Sequence, residues 1–278
     1  MSVDALIKQR RLDEALAALH EQVRQSPGKA QPRAALFELL CVLGQWDKAL
    51  RQMSIAAELA PGEYGFASGM ARSAIACERA RARVFAGREQ PVIFGEPQAW
   101  MASMVQALQI QTQGHAEAAQ RLRAEALVEA PAATGRIDES PFDWLADADA
   151  RLGPVLECFV NGRYFWMPMP TLTWVRIEAP TTLLELVWVS AHLTWTNGGE
   201  AAVLLPVRYA GSEASDDPAI RLSYATDWTG EAETGYLGLG QRSLITDQGG
   251  FRLLDVRSIA FETVGGEPAA MDAGAEDA

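Results

Sequence analysis

The sequence repeats itself at an interval of 34 residues, and this periodicity restricts the possible folds more than any other feature. Segment 11–27 aligns without gaps with segment 45–61, so that Ala15 matches Ala49 and a proline closes each copy. Tetratricopeptide repeats, which are pairs of antiparallel helices, have this period. The small alanine lets two helices approach closely, and the proline cannot continue a helix. The first part of the chain is therefore predicted to be a stack of helical hairpins.

A looser third copy occupies segment 114–131, where Ala119 takes the small position and Pro131 takes the closing position. Arg123 stands where the other two copies have a large apolar residue. The offset of 70 residues from the second copy leaves space for about one further repeat with a small insertion. The predicted helices cover residues 2–9, 12–25, 32–43, 46–59, 64–86, 97–112 and 116–129.

Beyond about residue 132 the composition changes from helix-forming residues to Trp, Thr, Val and Gly, which favour strands and turns. Asn161-Gly162 predicts a tight hairpin, and segments 197–199 and 247–250 predict two more. Segment 181–189 fits either a short helix or a buried strand. Strands are predicted at residues 155–161, 164–167, 172–178, 192–196, 202–209 and 251–261.

Strands that follow one another without regular helices predict a mostly antiparallel sheet that is barrel-like or strongly bent. The expected fold class is therefore multidomain, α plus α+β. A tetratricopeptide-like superhelix is expected over residues 1–131 and a β-rich α+β domain over residues 132–263. Segment 264–278, which consists mostly of Gly, Ala, Asp and Glu, is predicted to be a disordered acidic tail.

Charge and composition exclude several classes of protein. The net charge is −12 and nearly all of it lies in the second half, so neither nucleic acid nor an anionic membrane surface is expected as a partner. No apolar run is long enough to span a bilayer, and the first residues lack the apolar core of a secretion signal. We therefore expect a cytoplasmic protein. Cys41, Cys77 and Cys158 are widely separated and are expected to be reduced core residues, with no metal or cofactor.

An acidic cluster, Asp143, Asp147 and Asp149, precedes Arg151. One interpretation is a cation site, although the spacing lacks the glycine turn and the terminal glutamate of an EF-hand loop. The other interpretation is an acidic linker that pairs with Arg151 and caps the sheet. The glycines of segment 235–240 follow no strand-to-helix unit, so a turn explains them better than a nucleotide loop. Since no nucleophile motif is present either, no catalytic residue is predicted.

Residues that could contact a partner come from several parts of the chain. The arginines of helix 64–86 fit either a solvated face or a partner site. The aromatic residues of the second half fit either the core of a sheet domain or a ligand pocket. Aromatic residues and arginine are enriched at interface hot spots, which favours these residue types. The candidates are Arg79, Arg83, Trp100, Asp147, Asp149, Arg151, Tyr164, Trp166, Arg208, Tyr209, Asp227 and Trp228.

Several stretches of the second half resemble one bacterial family. Together with the N-terminal repeats, they resemble the ImpE/TagJ family of accessory proteins from type VI secretion clusters. The run Asp-x-Asp-x-Arg-Leu-Gly-Pro, which begins at Asp147, is the most specific element of the resemblance. The resemblance covers residues 1 to about 263 and implies a tetratricopeptide-like superhelix followed by an α+β domain. The matching stretches are 147–157, 161–168, 206–209, 226–228 and 240–242.

The resemblance also implies a cytoplasmic role beside the contractile sheath, with no enzymatic activity and no cofactor. Members of this family associate with the small sheath subunit, through a helix of that subunit, and with the ClpV-type ATPase that disassembles the sheath. The expected function is therefore an adaptor. Its binding face could be the repeat groove, helix 64–86 or the sheet domain. The alternative is an enzymatic or small-ligand site in the acidic, aromatic second half.

Overall fold

The computed structural model describes residues 1–96 and 98–262. The first part of the chain is helical, and the helix limits agree with the predicted ones to within a few residues. The predicted acidic tail, residues 264–278, lies outside the described residues. The helices of this part are α1 (Val3–Lys8), α2 (Leu12–Gln25), α3 (Ala30–Val42), α4 (Trp46–Leu59), α5 (Pro61–Phe85), α6 (Ala99–Thr112) and α7 (Ala116–Glu129).

The residues that define the repeat lie at the contacts between helices. Ala15 and Ala49 are fully buried, and the large apolar Leu19 and Met53 are buried beside them. Consecutive helices from α1 to α5 pack against one another, and α6 packs against α7. Pro61 is the first residue of α5, a position where its missing N–H costs no hydrogen bond. The prediction of a tetratricopeptide-like helical region is confirmed.

The segment between the second and third copies differs from the complete repeat that the spacing predicted. Between α4 and α6 the described residues contain one α-helix, α5, which is 25 residues long, where a further repeat would contribute a pair. Beyond α5 the chain enters the short strand β1 (Val92–Ile93), which pairs in parallel with Phe165 and Trp166 of the second half. Pro91, which precedes β1, explains this departure, because proline interrupts a helix. In the part of the chain that the structure describes, α5 packs against the preceding helix α4 and is followed by β1 instead of a second helix of its own repeat.

The second half is rich in strands and contains one short helix, α8 (Pro218–Arg221). Most strands pair antiparallel, as predicted. The strands after β1 are β2 (Gly135–Ile137), β3 (Ser140–Phe142), β4 (Leu145–Asp147), β5 (Val155–Val160), β6 (Arg163–Pro168), β7 (Leu172–Ile177), β8 (Trp188–Trp195), β9 (Glu200–Pro206), β10 (Thr226–Thr229), β11 (Leu237–Gly240), β12 (Ser243–Thr246), β13 (Gly249–Arg252) and β14 (Ser258–Phe261).

The main sheet has nine strands in the order β1-β6-β5-β9-β8-β7-β14-β2-β3. Within the described residues β1 and β3 are its two edges, so the sheet does not close into the barrel-like shape that we expected. Strands β13, β12 and β4 form a second sheet, and β10 pairs with β11. The prediction of a β-rich, mostly antiparallel second half is therefore confirmed. The prediction of a barrel-like shape is not confirmed.

The three predicted hairpins are present. Asn161 and Gly162 connect β5 to β6 with φ values of 49° and 73°, both positive as a type I′ turn requires. The other two connect β8 to β9 and β12 to β13. The ambiguous segment 181–189 holds a 3-10 turn at Leu184–Leu186 followed by the start of β8.

The prediction of a single strand over residues 251–261 is wrong. A 3-10 turn at Leu253–Asp255 separates β13 from β14. Leu253 and Leu254 are both buried. Because neighbouring side chains in a strand point to opposite faces, a turn is needed to bring both leucines into the core.

One apolar core extends from the repeat helices into the sheet domain, and its buried members include Leu36, Ile75, Trp166 and Trp188. Trp46 of α4 stacks on Trp188 of β8 with ring centroids 5.8 Å apart. A second core lies inside the sheet domain. The hydrophobic effect that folds each part therefore also holds the two parts together. None of the described helices has the length and hydropathy that a bilayer crossing requires.

The C-terminal end of α3 is enclosed by this arrangement. Almost every residue from Leu36 to Val42 is buried. The turn at Leu184–Leu186, which precedes β8, packs against this helix. Over α3, the surface that a free repeat stack would offer to a partner is therefore covered by the chain's own sheet domain.

Candidate functional site

The predicted partner-binding residues separate into two groups in the structure. One group lies in the junction between the helices and the sheet, where the side chains are wholly or largely buried. This group consists of Asp147, Asp149, Arg151, Tyr164, Trp166, Arg208 and Tyr209. The other predicted residues lie elsewhere, mostly on the surface.

The centre of the junction is an ion pair between Arg81 of α5 and Glu157 of β5. Arg81 donates from Nε to Oε1 at 2.7 Å and from Nη2 to Oε2 at 2.8 Å. Tyr164 donates its hydroxyl to Glu157 at 2.5 Å, and Trp166 donates from Nε1 to the Tyr164 hydroxyl at 2.6 Å. Arg81 is only 3% exposed and Glu157 is fully buried. This bidentate geometry is the strong form of an arginine–carboxylate contact, and here it joins the repeat helices to the main sheet.

A second arginine extends this network within the sheet domain. Arg242 donates from Nε and Nη2 to Oδ2 of Asp147 at 2.9 and 2.7 Å. Its Nη1 lies 3.6 Å from the second oxygen of Glu157. Arg242 therefore connects the Asp147 carboxylate to the Arg81–Glu157 pair, so that two arginines face two carboxylates inside the protein.

Asp149 is paired separately. Its Oδ1 accepts from Nε of Arg151 at 2.8 Å, and its Oδ2 accepts from the backbone N–H of Gly238 at 2.8 Å. The guanidinium of Arg151 lies over the Phe85 ring, 4.9 Å from its centroid. This contact brings the acidic cluster against the last residue of α5.

The network shifts two carboxyl pKa values in opposite directions. Burial alone would raise the pKa of Glu157, but Arg81 and Arg242 outweigh it and lower that pKa to about 2. Burial raises the pKa of Asp147 to about 6, since the opposing effect of Arg242 is smaller and Asp149 adds a like charge. The ionised state is therefore favoured at the inter-domain pair and disfavoured at Asp147.

Arg208 ties the sheet domain to the end of α3. Its Nη1 donates to the carbonyl of Val42 at 2.6 Å, and its Nη2 donates to the carbonyl of Cys41 at 3.3 Å. The last carbonyls of a helix lack partners within the helix and carry partial negative charge, which a cation stabilises. Arg81 in turn donates to the backbone carbonyl of Arg208 at 2.8 Å. Arg208 is therefore a buried helix cap.

Tyr209 fills a different position in the junction. Its ring lies against Gly238, where an added Cβ would come within 2.2 Å of a ring carbon. Its hydroxyl accepts from the backbone N–H of Ser243 at 3.0 Å. Trp228 of β10 covers it, with ring centroids 5.6 Å apart.

The pairings bear on the two interpretations of the acidic cluster. Asp147 and Asp149 are each neutralised by an arginine, and Asp143 is exposed away from them. Among the described residues no group of three or more potential ligands could hold a metal ion. The arrangement matches the pairing interpretation, with Arg151 as predicted and with Arg242 in addition.

The remaining predicted residues do not converge on one site. Arg79 pairs with Asp47 at 2.7 Å, and Arg83 pairs with Glu89 at 2.6 Å. Trp100 is buried in α6 and donates to Gln98. Asp227 and Trp228 are exposed on β10.

Sequence reasoning missed the central residues Glu157 and Arg242 and did not select Arg81 from its neighbours. Glu157 did carry a signal, because it is a lone charge inside the apolar run Val155–Val160. A charge in a buried strand requires a partner.

An exposed apolar surface lies at the other end of α5. Phe66 is 83% exposed and Met70 is 44% exposed, and they lie one turn apart on the same face. We name the line of residues that continues along this face the α5 stripe. The α5 stripe consists of Phe66, Met70, Ser73, Cys77, Ala80 and Val84.

Comparison with known proteins places this architecture in a class and then in a family. The tetratricopeptide repeat family matches residues 6–72, and the family described as ImpE protein matches residues 139–260. The fold therefore defines a helical-repeat protein whose repeats are fused to an ImpE-type sheet domain. A relative from Pseudomonas aeruginosa, the type VI secretion system accessory component TagJ, is 48% identical over 94% of this chain and 92% of its own length. The chain belongs to the ImpE/TagJ family.

A solved structure has the same fold. The crystal structure of protein VPA1032 from Vibrio parahaemolyticus superposes with a TM-score of 0.86 at 25% sequence identity. The match covers 95% of this chain and 98% of that chain. The helical repeats and the sheet domain therefore occur together in a second protein.

Proposed function

We propose that this protein is a non-enzymatic cytoplasmic adaptor of a bacterial type VI secretion system. In this role it binds a helix of the small contractile-sheath subunit and links the sheath to the ClpV-type ATPase that disassembles it. Family membership supports the secretion-system assignment, since the relative with 48% identity is named as an accessory component of that system. Tetratricopeptide-like repeats support a role in binding other proteins, although such repeats serve many partners.

The observation that carries the proposal is the exposed apolar surface on the first half of α5. Phe66 and Met70 are exposed on a helix that, among the described residues, is followed by the strand β1 and not by an antiparallel helix of the same repeat. Large exposed apolar side chains on a rigid surface are typical of protein-interaction sites. A helix held in place by a buried ion pair loses little freedom on binding, which favours association.

The alternative, a small-ligand or catalytic site in the second half, has less support. Its motivating residues, Asp147, Asp149 and Arg151, are engaged in ion pairs. A site for an external ligand needs polar groups that converge on a cavity. Neither the cavity beside α7 nor the cavity between α5 and the β5–β6 hairpin is lined by these three residues.

Titration calorimetry with the purified sheath subunit tests the proposal. Saturable binding of the intact subunit, and of a synthetic peptide of its helix, is expected. Adding the ATPase should give a ternary complex on size-exclusion chromatography. Failure of the intact subunit to bind at concentrations of about 100 μM would contradict the proposal.

A further inference from the structure

We infer that the open edge of strand β10 is a docking surface, and that an extended, basic segment of a partner protein adds to it as an antiparallel strand. The inference goes beyond the proposed function, because this surface belongs to the sheet domain and not to the α5 stripe. Three features of the described residues carry it: an edge strand with outward backbone groups, an exposed aromatic pair beside that edge, and acidic side chains without a basic partner.

Strand β10 is an edge strand whose one neighbour, among the strands that the structure describes, is β11. The far side of β11 is already occupied by the chain itself. The backbone N–H groups of Gly238 and Gly240 donate to Asp149 Oδ2 and Ser212 Oγ, each at 2.8 Å. Both N–H groups of β11 therefore point away from β10, and the open edge of this small sheet is the outer side of β10.

The register then fixes which groups of β10 face outward. Residues that lie opposite one another in an antiparallel pair either exchange backbone hydrogen bonds or both turn their N–H and C=O groups away. Trp228 lies opposite Gly238 and Thr226 lies opposite Gly240, so both turn these groups toward the open edge. The N–H of Trp228 accordingly donates to the side chain of Asp227, at 2.9 Å, and not to β11. Such outward groups are what an added strand uses.

Strand β10 lacks a common protection of sheet edges. Strand β3, at one edge of the main sheet, carries Pro141, which has no N–H to donate to an added strand. Strand β10 contains no proline and no lysine. Its last three residues are exposed, so an added strand would reach its backbone.

An exposed aromatic pair lies on one face of this hairpin. Trp228 is 37% exposed and is supported from below by the buried Tyr209, with ring centroids 5.6 Å apart. Tyr236 is 52% exposed and precedes Gly238 by two residues, so strand alternation places it on the same face as Trp228. Diagonal neighbours of this kind are within reach of each other's aromatic rings. Rigidly held tryptophan and tyrosine side chains are typical of interface hot spots.

Charge indicates the chemistry of the added strand. Residues 226–240 contain three acidic residues, Asp227, Glu231 and Glu233, and no basic residue. All three are exposed, and within residues 1–96 and 98–262 none has an arginine or lysine at ion-pair distance. Arginines on the partner segment would complement these charges. A second copy of this chain is disfavoured as the occupant, because pairing two β10 edges would bring like charges together.

The geometry also gives the sequence pattern of the segment. Side chains directly opposite one another in an antiparallel pair lie on the same face of the sheet. Apolar side chains on the added strand would therefore lie beside Trp228, and arginines at the intervening positions would lie on the face of Asp227. Apolar residues and arginine should alternate in the segment that binds.

The test measures binding of a synthetic peptide, acetyl-Arg-Ile-Arg-Val-Arg-Ile-Arg-amide, to the full chain by titration calorimetry. Asp227→Lys should weaken binding by at least about ten-fold, because it reverses the charge and places a lysine on the edge strand. Asp227→Asn keeps an acceptor for the Trp228 N–H and should weaken binding less. The matched control is Glu139→Lys beside β3, where the glutamate is 97% exposed, and it should bind like the unmodified chain.

Two further measurements separate strand addition from general attraction between opposite charges. A peptide of the same sequence, N-methylated at the isoleucine and valine amides that would face β10, should not bind. Amide hydrogen exchange, followed by NMR, should slow at Thr226 and Trp228 when the unmethylated peptide is added.

The opposite results would overturn the inference. No binding of the unmethylated peptide, equal binding of the methylated one, or equal weakening by Glu139→Lys would each do so. A dimer of the unmodified chain that Asp227→Lys dissociates would show that the edge serves self-association instead. Binding of the sheath subunit is measured separately, so failure of the peptide to bind leaves the proposed function standing.

Discussion

The two halves of helix α5 present opposite surfaces. In the C-terminal half Arg81, a charged residue, is 3% exposed and paired with a buried glutamate. In the N-terminal half Phe66, an aromatic residue, is 83% exposed. Charged side chains are usually exposed and aromatic side chains are usually buried. The buried Arg81 and the exposed Phe66 both depart from this pattern.

The contrast shows that one helix serves two purposes. The C-terminal half fixes the helical repeats to the sheet through the buried Arg81–Glu157 ion pair, which we call the joint. The exposed half is a surface held in a defined orientation by that joint. Because removing one partner of a buried pair leaves a charge uncompensated, the joint is sensitive to substitution. Substitutions at solvent-exposed positions change the stability of the isolated protein little. Their effect is therefore expected in the affinity for a partner.

The largest expected effect comes from breaking the joint. Arg81→Met should lower the free energy of unfolding by about 3–5 kcal/mol, because the buried Glu157 carboxylate loses its bidentate ion pair. Denaturant unfolding monitored by fluorescence measures this change. Arg72→Met, at an exposed position on the same helix, is the control and should change stability by less than about 1 kcal/mol. Equal effects of both variants would contradict the contrast between the two halves.

Acid should weaken the same joint. The folded-state pKa of Glu157 is about 2, below the ordinary value of 4.5, so its stabilising contribution is complete above pH 4.5 and is lost as the pH falls toward 2. Between pH 5 and pH 3 the loss should be roughly 2 kcal/mol. Asp147 acts in the opposite sense, because its raised pKa of about 6 favours folding as the pH falls from 6 toward 4.

Urea titrations at several pH values test this dependence. Glu157→Gln removes the titrating group, so its stability should vary less between pH 5 and pH 3 than that of the unmodified chain. An identical pH dependence in the two proteins would show that Glu157 does not titrate as the geometry requires.

A smaller effect is expected in the sheet domain. Gly238→Ala should destabilise the protein by on the order of 1–2 kcal/mol, because the new Cβ would lie 2.2 Å from the Tyr209 ring and force it to move. The shift should be visible as a lower melting temperature. If the ring moves aside freely, stability will not change, and the close packing of Tyr209 will not be a structural requirement.

The smallest effect has the opposite sign. Gly65→Ala should stabilise the isolated protein by about 0.5–1 kcal/mol, because it replaces a helical glycine that faces open space. Thermal unfolding measures the gain. A loss of stability would show that Gly65 is needed for the fold and would weaken the contrast between the two halves of α5.

Local patterns predicted much of the fold. The recurrence of Ala15 at Ala49 identified the helical hairpins, and Asn161-Gly162 identified a hairpin whose positive φ values few other residues adopt. These features depend on neighbours within a few turns of the chain. Segment 251–261 was misread because its turn is required by two buried leucines whose contacts lie elsewhere.

The candidate site was predicted only in part. Asp147, Asp149 and Arg151 were selected together, and the structure places them together in the junction. The partner of Asp147 could not be assigned, because Arg242 lies 95 residues away in sequence and reaches Asp147 only once the sheet has formed. The exposure of Phe66 was likewise unreadable from the sequence, where an aromatic residue in a repeat helix is expected in the core.

The sequence by itself determined the helical repeat, the three hairpin turns and the family, because each depends on residues close together in the chain. Only the tertiary structure decided which arginine of α5 is buried, which carboxylate it meets and which face of α5 stays open. Those outcomes depend on how the sheet domain packs against the helices, since burial and ion pairing are fixed by contacts between residues distant in sequence.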